Sequence, residues 1–283
     1  MSDRESGRPK RAPRGAPGGK RSGSGARRGG GADSGKGRHD PGAARRAGGG
    51  ARGTGRGQSS RREKSGAKEP GEPNVHLSDD IVRELSASSR PGKAEILVKV
   101  FADAATALSD GKLEEAIELG EQSKHMALRS STIREFLGLA YYAAGRWKEA
   151  ARELTTFRRI AGSTEQNPVI ADCYRATGKP DKALEFCDAI DKASVGDEVF
   201  YEGEIVAASA LADMGRIDEG VARLERLDLE PPAAEEHHIR AWYVMGDLLE
   251  RKGRFTQART WFEAVLGAQP DLTDAEDRLR KLS

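Results

Sequence analysis

The chain has 283 residues, 33% of them charged, and a formal net charge of +2, with no apolar run long enough to span a bilayer. Those totals average two opposite stretches. Residues 1–73 hold 19 Lys/Arg against 7 Asp/Glu, a net of +12, whereas residues 74–283 hold 28 against 38, a net of −10.

The first stretch, residues 1–73, also contains 20 of the 34 glycines, 6 of the 12 prolines, and no Val, Ile, Leu, Phe, Trp, Tyr or Cys. With so little apolar surface to bury it cannot offset an ordering cost of ~1–2 kcal/mol per residue, so it is expected to be a disordered basic tail. It lacks the apolar core of a signal peptide, and its Gly/Pro density forbids the amphipathic helix of a transit peptide. The outline Gly30-x₄-Gly35-Lys36 suggests a phosphate-binding loop, but Gly37 stands where Ser or Thr should hold magnesium, and no strand precedes it. Two cysteines, Cys173 and Cys187, make no disulfide framework and suit a reduced compartment, so the expected location is cytoplasmic.

Residues 74–92 read as a short capping helix and linker. Ser78 offers a capping hydroxyl, Asp79 and Asp80 follow at the positive helix end, and Leu77, Ile81, Val82 and Leu85 share one face. Pro91 and Gly92 then interrupt the chain. From residue 93 the apolar spacing predicts helices near 93–108, 113–128, 132–144, 147–161, 165–177, 180–190, 198–214, 217–227, 233–252 and 255–267. A last helix near 272–282 is expected to start at a capping box, Thr273-x-x-Glu276, with Asp277, Arg278, Arg280 and Lys281 on an outer charged face.

These helices repeat. A turn glycine recurs at Gly111, Gly145, Gly178, Gly215 and Gly253, spaced 34, 33, 37 and 38 residues apart. Seven positions earlier stands a small residue each time: Ala104, Gly138, Ala171, Ala208 and Gly246. Five positions later stands another: Ala116, Ala150, Ala183, Gly220 and Ala258. A small residue on each partner lets two antiparallel helices approach closely, and a glycine between them turns the chain cheaply. The last copy reads Trp242, Met245, Gly246, Leu249, Gly253, Phe255, Ala258, Phe262, Val265 and Pro270, and in that order it resembles the tetratricopeptide (TPR) pattern. With its tail, the chain is similar to uncharacterised TPR proteins of high-GC bacteria that carry a basic Gly/Arg-rich N-terminus. The resemblance implies an all-α, right-handed TPR α-solenoid of about five helix pairs over residues 93–283, following the disordered tail and the capping helix. It also implies a noncatalytic adaptor that binds a protein or peptide through a concave groove, with no cofactor, metal, membrane or small-molecule substrate.

Alignment to that pattern places Thr132, Glu135, Leu139, Tyr142, Asp172, Arg175, Ile205, Ser209, Tyr243 and Asp247 on the concave face, either lining a groove for a peptide or packing against neighbouring helices. The positions that grip a C-terminal carboxylate in one TPR class are apolar, hydroxyl or acidic here. The residue after each turn glycine is basic: Lys112, Arg146, Lys179, Arg216 and Arg254. These are either cations at helix C-termini or a cationic edge for an anionic partner. His237-His238 cannot chelate one ion as i, i+4 histidines do, and are expected to be solvated at a helix start. Cys187 falls in the core column of Leu154, Leu224 and Phe262, while Cys173 is expected to be partly exposed. In the tail, Arg14, Arg28, Arg52 and Arg56 each precede a glycine, as in segments that contact RNA without sequence specificity. The alternative role for this tail is to solubilise the chain or to meet the acidic array, including Glu114, Glu115, Glu118 and Glu121, within or between molecules.

Overall fold

The structure, a computed structural model, describes residues 75–270 and 274–282. The predicted tail, its Arg-Gly pairs and Thr273 lie outside the described residues. Among those described, secondary structure is helical throughout: α1 (Asp79–Ser88), α2 (Ala94–Ser109), α3 (Leu113–Met126), α4 (Ser131–Ala143), α5 (Trp147–Ala161), α6 (Asn167–Ala176), α7 (Pro180–Asp188), α8 (Asp197–Asp213), α9 (Ile217–Leu224), α10 (Glu236–Arg251), α11 (Phe255–Ala268) and α12 (Ala275–Lys281). They pair as α2/α3, α4/α5, α6/α7, α8/α9 and α10/α11, with α1 before the array and α12 after it.

Each pair is closed by the same turn. The five turn glycines have φ between 72° and 78°, a conformation costly for other residues. The residue after each glycine then donates its amide to the carbonyl five positions before it. Lys112 reaches Ala107 at 2.9 Å, Arg146 reaches Tyr141 at 2.8 Å, and Lys179, Arg216 and Arg254 reach Tyr174, Leu211 and Leu249 at 2.9 Å. This bond satisfies an orphan carbonyl at the end of the first helix and sets the second helix running back.

Close approach explains the small residues. Ala104, Ala116, Ala150, Ala171, Ala183, Ala208 and Ala258 are all fully buried. A methyl group on Gly138 would fall 2.3 Å from Leu154 Cγ, and one on Gly246 would fall 2.8 Å from the Phe262 ring. Gly220 faces the Ala208 carbonyl oxygen, which a methyl group would meet at 2.8 Å. Gly120 in the first repeat is a packing requirement as well, because its added methyl would meet Leu137 at 2.7 Å and Phe136 at 2.9 Å.

The buried apolar residues form three groups along the array, not one continuous mass, and Tyr174 packs against two of them. Such segmentation is what stacked repeats produce, since each unit buries its face against its neighbours. At the first end, Ser78 caps α1 by accepting from Ile81 N, and Leu85 is fully buried. On the same helix Glu84 reaches the start of α4, accepting from Ser130 Oγ at 2.9 Å and from Ser131 N at 3.1 Å. A carboxylate at the positive end of α4 thus ties α1 to the second pair as well as the first.

Three helix starts differ from the sequence expectation. α6 begins at Asn167, whose side chain is buried and donates to the Phe186 carbonyl at 2.8 Å. α10 begins at Glu236, after Pro231 and Pro232, where a reciprocal cap forms between Glu235 and His238. α12 begins at Ala275, with Asp274 at its N-cap position and no side-chain cap bond.

Candidate functional site

The predicted groove residues sit on first helices of the pairs: Thr132, Glu135, Leu139 and Tyr142 on α4, Asp172 and Arg175 on α6, Ile205 and Ser209 on α8, and Tyr243 and Asp247 on α10. Several are joined to each other. Tyr142 of α4 donates its hydroxyl to Asp172 of α6 at 2.6 Å. Asp172 also accepts from Arg175 at 2.8 Å, and Arg175 donates on to Asp213 of α8 at 2.8 Å. Burial would lower the Arg175 pKa, but the charges and hydrogen bonds of Asp172 and Asp213 raise it, so the guanidinium stays charged. The chain Tyr142–Asp172–Arg175–Asp213 therefore links three successive pairs. Glu135 likewise accepts from Gln166, just before α6, at 2.9 Å.

A second polar group closes the far end. Arg278 of α12 donates to Asp247 at 2.8 Å and to Glu250 at 2.7 Å, and its guanidinium lies 4.9 Å from the centre of the Phe262 ring. Tyr243 donates to Asp274 at 2.6 Å, and burial followed by that bond pushes its pKa up. The sequence placed Arg278 on an outer face; the structure turns it inward, with a side chain 16% exposed. Tyr243 and Asp247 are thus engaged by the terminal helix.

Ile205 does not line an open groove. It is 7% exposed and packs in the C-terminal apolar group, because its helix is covered on both sides by α9 and α10. Thr132, Leu139 and Ser209 remain partly exposed. At the corresponding positions of α2 stand Val98, Ala105 and Leu108, also partly exposed, so the first helices are apolar there near the N-terminal end of the array and carry ion pairs further along. Asp213 and Gln166 were not singled out from the sequence. Asp213 was the more accessible to reasoning, since it lies one residue beyond the register of Arg175 on the next first helix.

Two other expectations need correction. His237 and His238 are buried, each 7% exposed, with rings 4.0 Å apart and packed on Tyr201. Cys173 is fully buried, as is Cys187, whose thiol burial pushes up to about 12. The five basic residues after the turn glycines occupy the N-cap positions of the second helices, and four of them pair locally: Arg146 with Glu149 at 3.1 Å, Arg216 with Glu219 at 2.6 Å, Lys112 with Asp110 at 2.8 Å and Arg254 with Gln257. Among the described residues no three His, Cys, Asp or Glu are placed to hold a metal ion, and no helix is long and apolar enough to cross a membrane.

The helical pairs, the recurrent glycine turn and the stacked buried faces define a TPR α-solenoid. Residues 205–273 match the sequence model of the tetratricopeptide repeat. The nearly identical TPR-like repeats assigned to a kinesin light chain of Podosopora anserina superpose with a TM-score of 0.50 at 20% identity, covering 62% of this chain and 95% of theirs. A thermophilic TPR protein of Thermus thermophilus gives a TM-score of 0.51 at 14% identity, covering 66% of this chain and 98% of that one. Among curated proteins, human Protein O-mannosyl-transferase TMTC1 is 28% identical over 200 residues, which are 67% of this chain and 21% of that protein. The chain thus spans about a fifth of the length of that relative.

Proposed function

We propose that this chain is a noncatalytic adaptor that binds an extended or helical segment of a protein partner along the concave face of its array. One observation carries the reading. The first helices carry partly exposed apolar residues near the N-terminal end of the array, Val98, Ala105, Leu108 and Leu139, and ion-paired residues further along. Apolar anchors of a partner segment match the first part, and polar groups match the second, where Asp172 and Asp213 pair with Arg175 and where Asp247 and Glu250 pair with Arg278. Ion pairs between successive first helices hold that face in one shape, which lowers the ordering cost of binding.

The test is affinity purification of the full-length chain and of a Leu139→Arg, Ser209→Arg double variant shown by circular dichroism to be folded. Protein partners lost from the variant support the groove. Partners retained in full by the variant overturn it. A second reading rests on the +12 net charge of residues 1–73 and the Arg-Gly pairs at Arg14, Arg28, Arg52 and Arg56: nonspecific, salt-dependent contact with RNA. Nuclease treatment during the same purification separates the two, because only RNA-borne partners are then released.

A further inference from the structure

The two longest connections of the array, residues 189–196 and 225–235, both line a half-open cavity of about 550 Å³ at the start of α10. Its floor is formed by Tyr201, His237 and His238, with the Tyr201 ring edge-on to the imidazoles at 4.4 and 5.0 Å. His238 occupies the third position of α10 and completes an unusual helix cap. Its Nδ1 accepts the backbone N–H of Glu235 at 3.1 Å, while the Glu235 carbonyl accepts from the His238 amide at 3.0 Å. In the common form of this cap the third residue is Glu or Gln, whose oxygen accepts over a wide pH range. An imidazole accepts at Nδ1 only while neutral; the imidazolium carries a proton on both nitrogens.

We propose that His238 is a proton-sensitive latch: neutral, it closes the start of α10 against the 225–235 connection, and protonated, it releases both. Protonation removes the acceptor of the Glu235 amide and turns an N–H toward it. It also places a cation beside the His237 ring, 4.0 Å away. The charges facing the pair are mixed. Asp197 and Glu198 on α8, Asp228 on the connection, and Glu235 and Glu236 at α10 favour the cation, whereas Lys192 and Arg240 oppose it. Lys192 lies 3.9 Å from Asp197, and Arg240 pairs with Glu202 at 2.5 Å, so both are partly neutralised.

Burial is the largest influence on His238 and, with His237, holds its pKa below the ordinary value in spite of Glu235, Asp228 and Asp197. The folded state therefore binds the proton less readily than the unfolded one. The stabilising effect is full above the unfolded value and is lost as pH falls through the depressed folded value. The adjoining cavity gives solvent a route to the ring. Two further bonds span the same connection and report its state: Tyr201 Oη donates to the Asp228 carbonyl, and Trp242 Nε1 donates to the Leu229 carbonyl, each at 2.9 Å.

The proposal concerns this junction and stands whether or not the concave face binds a partner. The test follows the indole N–H resonance of Trp242 and the imidazole resonances of His238 in the full-length protein from about pH 7.5 to about pH 5. The expected result is a Trp242 transition whose midpoint coincides with the His238 titration. In a His238→Gln variant, which retains an acceptor for Glu235, the transition should vanish while the spectrum at the higher pH is kept. A transition that persists in His238→Gln overturns the latch, as does a His238 that titrates without moving Trp242 or stays neutral to about pH 5. If the variant fails to fold, the wild-type tautomer at the higher pH decides. A proton on Nε2 supports the latch, and a proton on Nδ1 overturns it.

Discussion

Replacing Gly138 with Ala should destabilise the array, although the same change elsewhere should stabilise it. In a helix interior, Gly→Ala is ordinarily worth ~0.5–1 kcal/mol in favour of Ala, because glycine loses more backbone freedom on folding. At Gly138 the new methyl group would stand 2.3 Å from Leu154 Cγ, 2.4 Å from Leu154 Cδ2 and 3.3 Å from the Leu154 amide nitrogen. Leu154 is fully buried, so its side chain has little room to turn away, and the backbone contact fixes the distance between α4 and α5. Overpacking of this kind costs ~1–3 kcal/mol, which outweighs the gain in helix propensity over most of that range and leaves a net loss of up to about 2.5 kcal/mol. Gly267, in the last turn of α11, is the control. Nothing lies within 4 Å of its added methyl group, so Gly267→Ala should gain ~0.5–1 kcal/mol. Urea unfolding followed by circular dichroism gives both midpoints. A Gly138→Ala midpoint at or above that of Gly267→Ala would refute the close crossing of α4 and α5.

Further expectations follow from particular contacts. Ala150→Leu and Ala258→Leu, at fully buried positions, should each lower stability by ~1–3 kcal/mol, read as a lower urea midpoint. Arg278→Ala removes bonds to Asp247 and Glu250 and should raise hydrogen exchange across α12 before other helices respond. Glu84→Ala deprives Ser130 and Ser131 of their carboxylate and should cost ~1 kcal/mol, with protection lost first in α1 and at the start of α4. Glu153 is 1% exposed; burial would raise its pKa, but hydrogen bonds and charges from Arg134 and Lys124 bring it below the usual value. Its stabilising effect is therefore present above the ordinary Glu value and is lost as pH falls through the lower folded value, so Glu153→Gln should flatten the acid limb of a pH–stability curve. Cys173 and Cys187, buried in the native protein, should resist alkylation until it unfolds, as mass spectrometry would show.

The helices and their turns were legible in the sequence because their causes are local. Apolar spacing, a turn glycine and two small-residue columns each act within one pair, and all five copies kept the predicted pairing. What escaped depends on how one pair sits on the next. Glu84 meets Ser130 across 46 positions, and Arg175 meets Asp213 across 38; no periodicity within a helix announces either bond. Ile205 and Tyr243 occupy equivalent places in the repeat, yet one is buried and the other half-exposed, because α8 has a further pair beyond it and α10 has only the short α12. Gly120 is demanded by Leu137 and Phe136, which belong to the next repeat, so no reading of its own helix would find the reason for it. The histidine pair looked solvated because a helix start is usually exposed; here both rings are buried against Tyr201 of α8.

The central claim, that the face of the first helices receives a protein partner, is tested most directly by site-specific photo-crosslinking in cells. A photoreactive residue placed at Leu139, on that face, is compared with one at Arg259, exposed on the second helix of the last pair. The account predicts a discrete protein adduct from Leu139 and none of the same mass from Arg259. The same adduct from both positions, or from Arg259 alone, would contradict it.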